Sequence, residues 1–80
     1  MTLTEAPIAQ RVDARGLSCP LPIVRTAIAI KALAPGELIE VLATDPGSTK
    51  DFTAWAKTTG HALIESSVSE GVYRFVLRRA

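Results

Sequence analysis

The chain has 80 residues, 48% hydrophobic and 21% charged, the composition of one small globular domain with room for one core. Nine Lys and Arg against eight Asp and Glu leave a net charge of +1, too weak a field to gather nucleic acid or an acidic membrane. With one cysteine and one histidine, the chain has no internal disulfide, no Cys-x-x-Cys redox pair and no His-x-x-x-His metal motif, so any chemistry passes through Cys19.

Residues 1–7 read as a loose lead-in to a single domain spanning 1–80. Alternation from Ile8 to Arg15, with Ile8, Gln10, Val12 and Ala14 on one side, predicts a first strand. Gly16-Leu17-Ser18 turns the chain, and Cys19-Pro20-Leu21-Pro22 opens a helix, because a first-turn proline lacks only an N–H that has no partner there. Ile23, Ala27, Ile30 and Ala34 keep helical spacing, with Val24 and Ile28 widening the apolar face, until Ala34-Pro35-Gly36 stops the helix. Glu37 to Thr44 predicts a buried strand with Ile39, Val41 and Ala43 facing one way.

Asp45-Pro46-Gly47-Ser48 leads into a second helix, with Ser48 or Asp45 expected as its N-cap and Asp51 in its first turn. Phe52, Trp55, Ala56 and Thr59 share a face, and Gly60 ends the helix. Ala62 to Val68 predicts a third strand, Glu70-Gly71 a turn, and Val72 to Arg79 a fourth strand carrying Tyr73, Phe75 and Leu77 on one face and Arg74 and Arg78 on the other. The order β-α-β-α-β-β with right-handed crossovers predicts an α/β two-layer sandwich, a four-stranded mixed sheet with both helices on one face. Its other face is expected to be partly polar, with Glu40 and Arg74. Both helix N-termini, at Cys19 and near Asp45, then meet one sheet edge.

No apolar run reaches bilayer length, and Met1-Thr2-Leu3-Thr4-Glu5 has neither a basic nor an apolar signal-peptide region, so the expected location is cytoplasmic. The five glycines stand singly, without a phosphate loop.

At the start of the first helix, Cys19 meets the positive end of a dipole, which favours thiolate. Pro20 and Pro22 preset the direction of the sulfur while removing two N–H donors. Arg15 and Lys50 are expected to add positive charge, and Asp45, if close, to act against it, so a mildly activated and accessible thiol is expected. A lone cysteine also fits a buried apolar filler, and the two readings stand side by side. The place of Cys19 at a turn, outside the periodic segments, speaks for the reactive one. Leu21, between the prolines, and Arg25, one turn on, are candidate partner contacts. Asp45 and Lys50 are further candidates, with a helix cap and a solvated surface lysine as their plainer readings. Trp55 and Phe52 read as core, and His61, without companion ligands, reads as neither metal ligand nor base.

The stretch Asp13-Ala14-Arg15-Gly16-Leu17-Ser18-Cys19-Pro20-Leu21-Pro22 resembles the signature of the TusA family, the SirA- or YedF-like sulfur carriers, with its Cys-Pro-x-Pro core. The likeness continues through Leu33-Ala34-Pro35-Gly36-Glu37, Thr44-Asp45-Pro46-Gly47-Ser48 and Trp55 to Gly60-His61, nearly the whole chain after residue 10. It implies the same two-layer sandwich, and a sulfurtransferase that works as a persulfide carrier rather than as a self-contained enzyme. Cys19 would accept sulfane sulfur from a cysteine desulfurase or rhodanese-like donor and pass it to an acceptor protein. Pro20, Pro22, Gly16 and Arg15 would support the loop. No cofactor is expected beyond the transient persulfide, and no membrane or strong nucleic-acid partner. In relatives the sulfur goes to tRNA thiolation, molybdenum cofactor synthesis or sulfur oxidation. The rival readings are a non-catalytic regulatory or interaction module and, by fold analogy and against the charge, an RNA-binding domain.

Overall fold

The computed structural model describes residues 7–80, so the expected lead-in lies, save for Pro7, outside the described residues. The elements are β1 (Ile8–Ala14), α1 (Leu21–Ile30), β2 (Leu38–Ala43), α2 (Ser48–Thr59), β3 (Ala62–Ser69) and β4 (Val72–Arg78). They follow the predicted order, and the sheet runs β1-β2-β4-β3, with β1 parallel to β2 and the other two pairings antiparallel. Each crossover moves the chain in the same direction across the sheet, which puts both helices on one face.

Period-two patterning decides what lies beneath the helices. Ile39, Val41 and Ala43 of β2 and Phe75 and Leu77 of β4 are fully buried, with Phe52 of α2 among them. Phe52 stacks on Phe75 at 4.6 Å between ring centroids and meets Trp55 edge-on at 6.3 Å. Gly60 ends α2 in the left-handed region at φ +85, donating its N–H to the Ala56 carbonyl.

Helix α1 keeps part of the expected face, with Ile30 buried and Ile23 packed against the core, and departs from it elsewhere. Its buried residues are Pro22, Thr26 and Ile30, followed by Leu33 beyond its end, while Val24 and Ile28 are exposed and so is Ala34. The apolar spacing of this helix admits two faces, and packing selects the one carrying Pro22 and Thr26. Thr26 is tolerated there because its hydroxyl donates to the Pro22 carbonyl at 2.8 Å. The helix also ends earlier than expected, at Ile30. Ala32 and Leu33 continue as tighter turns bonded three residues back.

The open face of the sheet carries a ladder of alternating charge across all four strands. Arg11 of β1 donates to Glu40 of β2 at 3.1 Å, Arg74 of β4 donates to the other Glu40 oxygen at 2.6 Å, and Arg74 reaches Glu65 of β3 at 2.7 Å. The hydrogen bond from Arg74 holds the Glu40 carboxyl below its ordinary range, helped by the charges of Arg74 and Arg11. Arg74 is therefore spent within the sheet rather than offered to a partner.

His61 receives the Ala80 N–H on Nδ1 at 2.9 Å and lies against Trp55, pinning the chain end to the start of β3. Burial, with the charge of Arg79, lowers its pKa.

Glu40→Gln is expected to cost about 1–2 kcal/mol at neutral pH, the scale of hydrogen bonds to charged groups discounted for partial exposure. Because the folded-state pKa of Glu40 is depressed, its contribution is complete above the unfolded carboxyl value of about 4.3 and fades as pH falls below it. Urea unfolding of both proteins should show a gap at pH 7 that closes in acid. A gap independent of pH would contradict the assignment.

Candidate functional site

The cysteine loop is built from the end of β1. Ala14 pairs with Ala43, and immediately beyond them the Gly16 N–H donates to Thr44 Oγ1 at 2.9 Å. Leu17 N–H closes a turn on the Ala14 carbonyl at 3.2 Å, with Gly16 at φ +82, a conformation that favours glycine. No atom crowds the space a Gly16 side chain would fill, so backbone conformation selects the residue here. The loop from β1 into α1 is thus tied to the loop from β2 into α2.

Cys19 is exposed and stands one residue before Pro20, the N-cap of α1. The first-turn amides, however, offer it little. Pro20 and Pro22 have no N–H, and the Leu21 N–H is committed to the Ser18 carbonyl at 2.9 Å. Pro22 is buried, so it also anchors the helix start against the core.

Across the same edge lies the start of α2. Its N-cap is Gly47, with no side chain capping it, which corrects the expectation of Ser48 or Asp45. Asp45 instead forms its own turn, its carboxylate accepting from the Gly47 N–H at 3.2 Å and its carbonyl from the Ser48 N–H at 3.0 Å. Ser48 is buried, and its hydroxyl has no hydrogen-bond partner. A β-carbon placed on Gly47 would lie 3.2 Å from an Asp45 carboxylate oxygen and 3.7 Å from one of Asp51, so the two acids converge over this glycine.

These carboxylates set the state of the sulfur. The Asp51 carboxylate, with desolvation and the charge of Asp45, favours the protonated thiol and raises the Cys19 pKa above its ordinary value. The expected mild activation is therefore reversed. The physical reason is local: the dipole acts through amides that the prolines removed, whereas the acids act directly.

Of the predicted site residues, the fold brings Cys19, Pro20, Pro22, Gly16, Leu21 and Asp45 to one edge. Arg15 is held by Asp13 at 2.8 and 2.9 Å, an exposed two-pronged pair that lowers the Asp13 pKa to about 2. Lys50 and Arg25 are exposed. Asp51 was missed as a site residue: a first-turn acid reads as dipole complement, and only the meeting of the two helix starts turns it toward Cys19.

Leu21 is 44% exposed, as expected, and it heads a stripe with Val24 (43%) and Ile28 (65%) along α1 away from the sulfur.

Residues 10–79 match the family described as sulfurtransferase TusA. The chain belongs to the TusA family. It is 46% identical over 71 residues to the sulfur carrier protein TusA of Allochromatium vinosum, covering 89% of this chain and 93% of that one. Over 73 residues it is 36% identical to the sulfur carrier protein TusA of Pseudomonas paraeruginosa, covering 91% and 92%. The crystal structure of a SirA-like protein from Desulfitobacterium hafniense superposes with a TM-score of 0.76 at 25% identity, over 86% of this chain and 95% of the other. The TusA-like chain is a member of a sulfur-carrier family whose work involves a sulfur donor and an acceptor protein. Among the described residues no helix is long and apolar enough to cross a membrane.

Iodoacetamide should label Cys19 completely in the folded protein, with a rate that rises through a midpoint above the usual thiol value of about 8.5. Added salt should move that midpoint down, because it screens exposed carboxylates. A midpoint below the ordinary value, or one indifferent to salt, would contradict this electrostatic account.

Proposed function

We propose that the chain carries sulfane sulfur as a persulfide on Cys19, received from a cysteine desulfurase or rhodanese-like donor and relayed to a thiol of an acceptor protein. The observation that carries this reading is the exposed Cys19 sulfur at the mouth of α1, on the family's Cys-Pro-x-Pro core. Loading is an exchange at sulfur. Deprotonated Cys19 attacks the outer sulfur of the donor persulfide, a new S–S bond forms, and the donor's S–S bond breaks. The electron pair leaves on the donor's inner sulfur, which takes up a proton, so the donor ends as a thiol and Cys19 as a persulfide. Unloading repeats the step with the acceptor's thiolate as attacker.

A self-contained thiol enzyme keeps an activating base beside its nucleophile. Here the single imidazole lies beyond the far end of α2, a helix length of about 18 Å from that helix's start. Its Nδ1 is already committed to Ala80. A carrier has no need of such a base, since the partner supplies half of each reaction. The Leu21, Val24 and Ile28 stripe offers the donor apolar area that begins two residues from the sulfur. On each route the resemblance implies (tRNA thiolation, molybdenum cofactor synthesis or sulfur oxidation), the chemistry asked of this chain is the same. Balanced charge on the open face weakens the RNA-binding alternative, because Arg11 and Arg74 are paired with Glu40 and Glu65.

Incubated with a cysteine desulfurase and cysteine, the wild-type chain should gain the mass of one sulfur atom, and Cys19→Ser none. Equal gain in both proteins, or none in the wild type, would refute the proposal.

A further inference from the structure

The sheet ends in two unlike edges. β1 carries Arg11 and Asp13 and a bulge near its start, devices that discourage another strand from adding to it. β3 is the longest strand, Ala62–Ser69, and contains no lysine, arginine or proline. Its one charge, Glu65, is bound to Arg74. A bulge at Ile64 lies near its start, and from Glu65 to Ser69 its pairing with β4 is regular. Every residue from Ile64 to Ser69 is exposed, and among the described residues no strand pairs with the outer side of β3. Every second residue of an edge strand turns its backbone N–H and C=O outward. This row of open groups runs beside two exposed apolar side chains, Ile64 at 50% and Val68 at 59%.

We propose that β3 is a self-pairing edge: a second copy of this chain adds its own β3 antiparallel, about a two-fold axis at Ser66, to make one continuous sheet. Register argues for this partner. Residues opposite each other in an antiparallel pair share a face, so only registers that join even positions with even and odd with odd keep the pleat. Centred on Glu65, the pairing sets two carboxylates against each other; centred on Ser67, it sets Ile64 against Glu70. Centred on Ser66, it sets Ile64 of each copy against Val68 of the other and Glu65 against Ser67, and no like charges meet. The strand is complementary to its own reverse, which is the condition for a two-fold contact. One strand pairing covers less than the ~800 Å² per partner of a stable complex, so the dimer is a weak one. β3 ends at the sulfur edge, since Val68 pairs with Tyr73 and Tyr73 with Ala43. The two-fold axis therefore points the Cys19 edges of the two copies in opposite directions, and both stay open to partners.

Sedimentation equilibrium of the reduced chain should show a mass that rises from 8.5 kDa in dilute solution toward twice that value at about 1 mM. Val68→Lys, a change at an exposed position, should keep the circular dichroism of the wild type and stay at 8.5 kDa throughout. Register is read by comparing Ser66→Cys with Ser67→Cys, each in a chain that also carries Cys19→Ser. Mild oxidation should cross-link the first into a dimer several-fold faster, because position 66 meets its own copy at about 5 Å between Cα atoms, within disulfide reach. A wild-type mass that stays at 8.5 kDa up to the highest concentration overturns the proposal. So does dimerisation that Val68→Lys leaves intact, or cross-linking no faster at position 66 than at 67.

Discussion

Parallel pairing of β1 with β2 is the constraint from which the site follows. In register through Ala14 and Ala43, the two strands end together, and the bond from Gly16 to Thr44 ties the loops that leave them. Both following helices pack on the same face, so their first turns open at one edge of the sheet. Cys19 before α1 and Asp51 within α2 are 32 positions apart in the chain, and this pairing brings the two helix starts to one edge. The core of Phe52, Phe75, Ile39, Val41 and Leu77 holds the pairing from beneath, and the ladder from Arg11 to Glu65 spans it from the other face.

The electrostatics at that edge set the chain apart from thiol enzymes that use a helix N-terminus to sharpen a nucleophile. There, free amides and a neighbouring base favour thiolate. Here prolines occupy the amide positions and the acids at the start of α2 raise the thiol's pKa, so exposure and reactivity are separated. A protein that must meet several partners while carrying a reactive atom benefits from such separation. The sulfur is within reach of each of them.

Much of this was legible in the sequence. Alternation in β2 and β4, the stop at Gly60 and the Glu70-Gly71 turn each have a local physical cause, and the structure keeps them. The family signature around Cys19 located the sulfur. What was not legible arose from tertiary contact. Val24 and Ile28 share helical spacing with the true core positions, and only packing shows that α1 buries Pro22 and Thr26 instead. Asp45 and Ser48 both have good capping side chains, yet Asp45 closes its own turn and Ser48 is buried, leaving Gly47 as the cap. The charge on the thiol was read from Arg15 and Lys50 against Asp45, whereas Asp51, taken as a complement to the helix dipole, was passed over. His61 looked idle because its partner is the backbone of the last residue.

A carrier is defined by giving up what it takes. The most direct measurement loads the chain with labelled sulfur, separates it from the donor, adds reduced glutathione, and follows the label on both molecules by mass spectrometry. The account predicts that label leaves Cys19 and appears as glutathione persulfide in equal amount. Label that never sits on Cys19, or that stays with the protein, would contradict it.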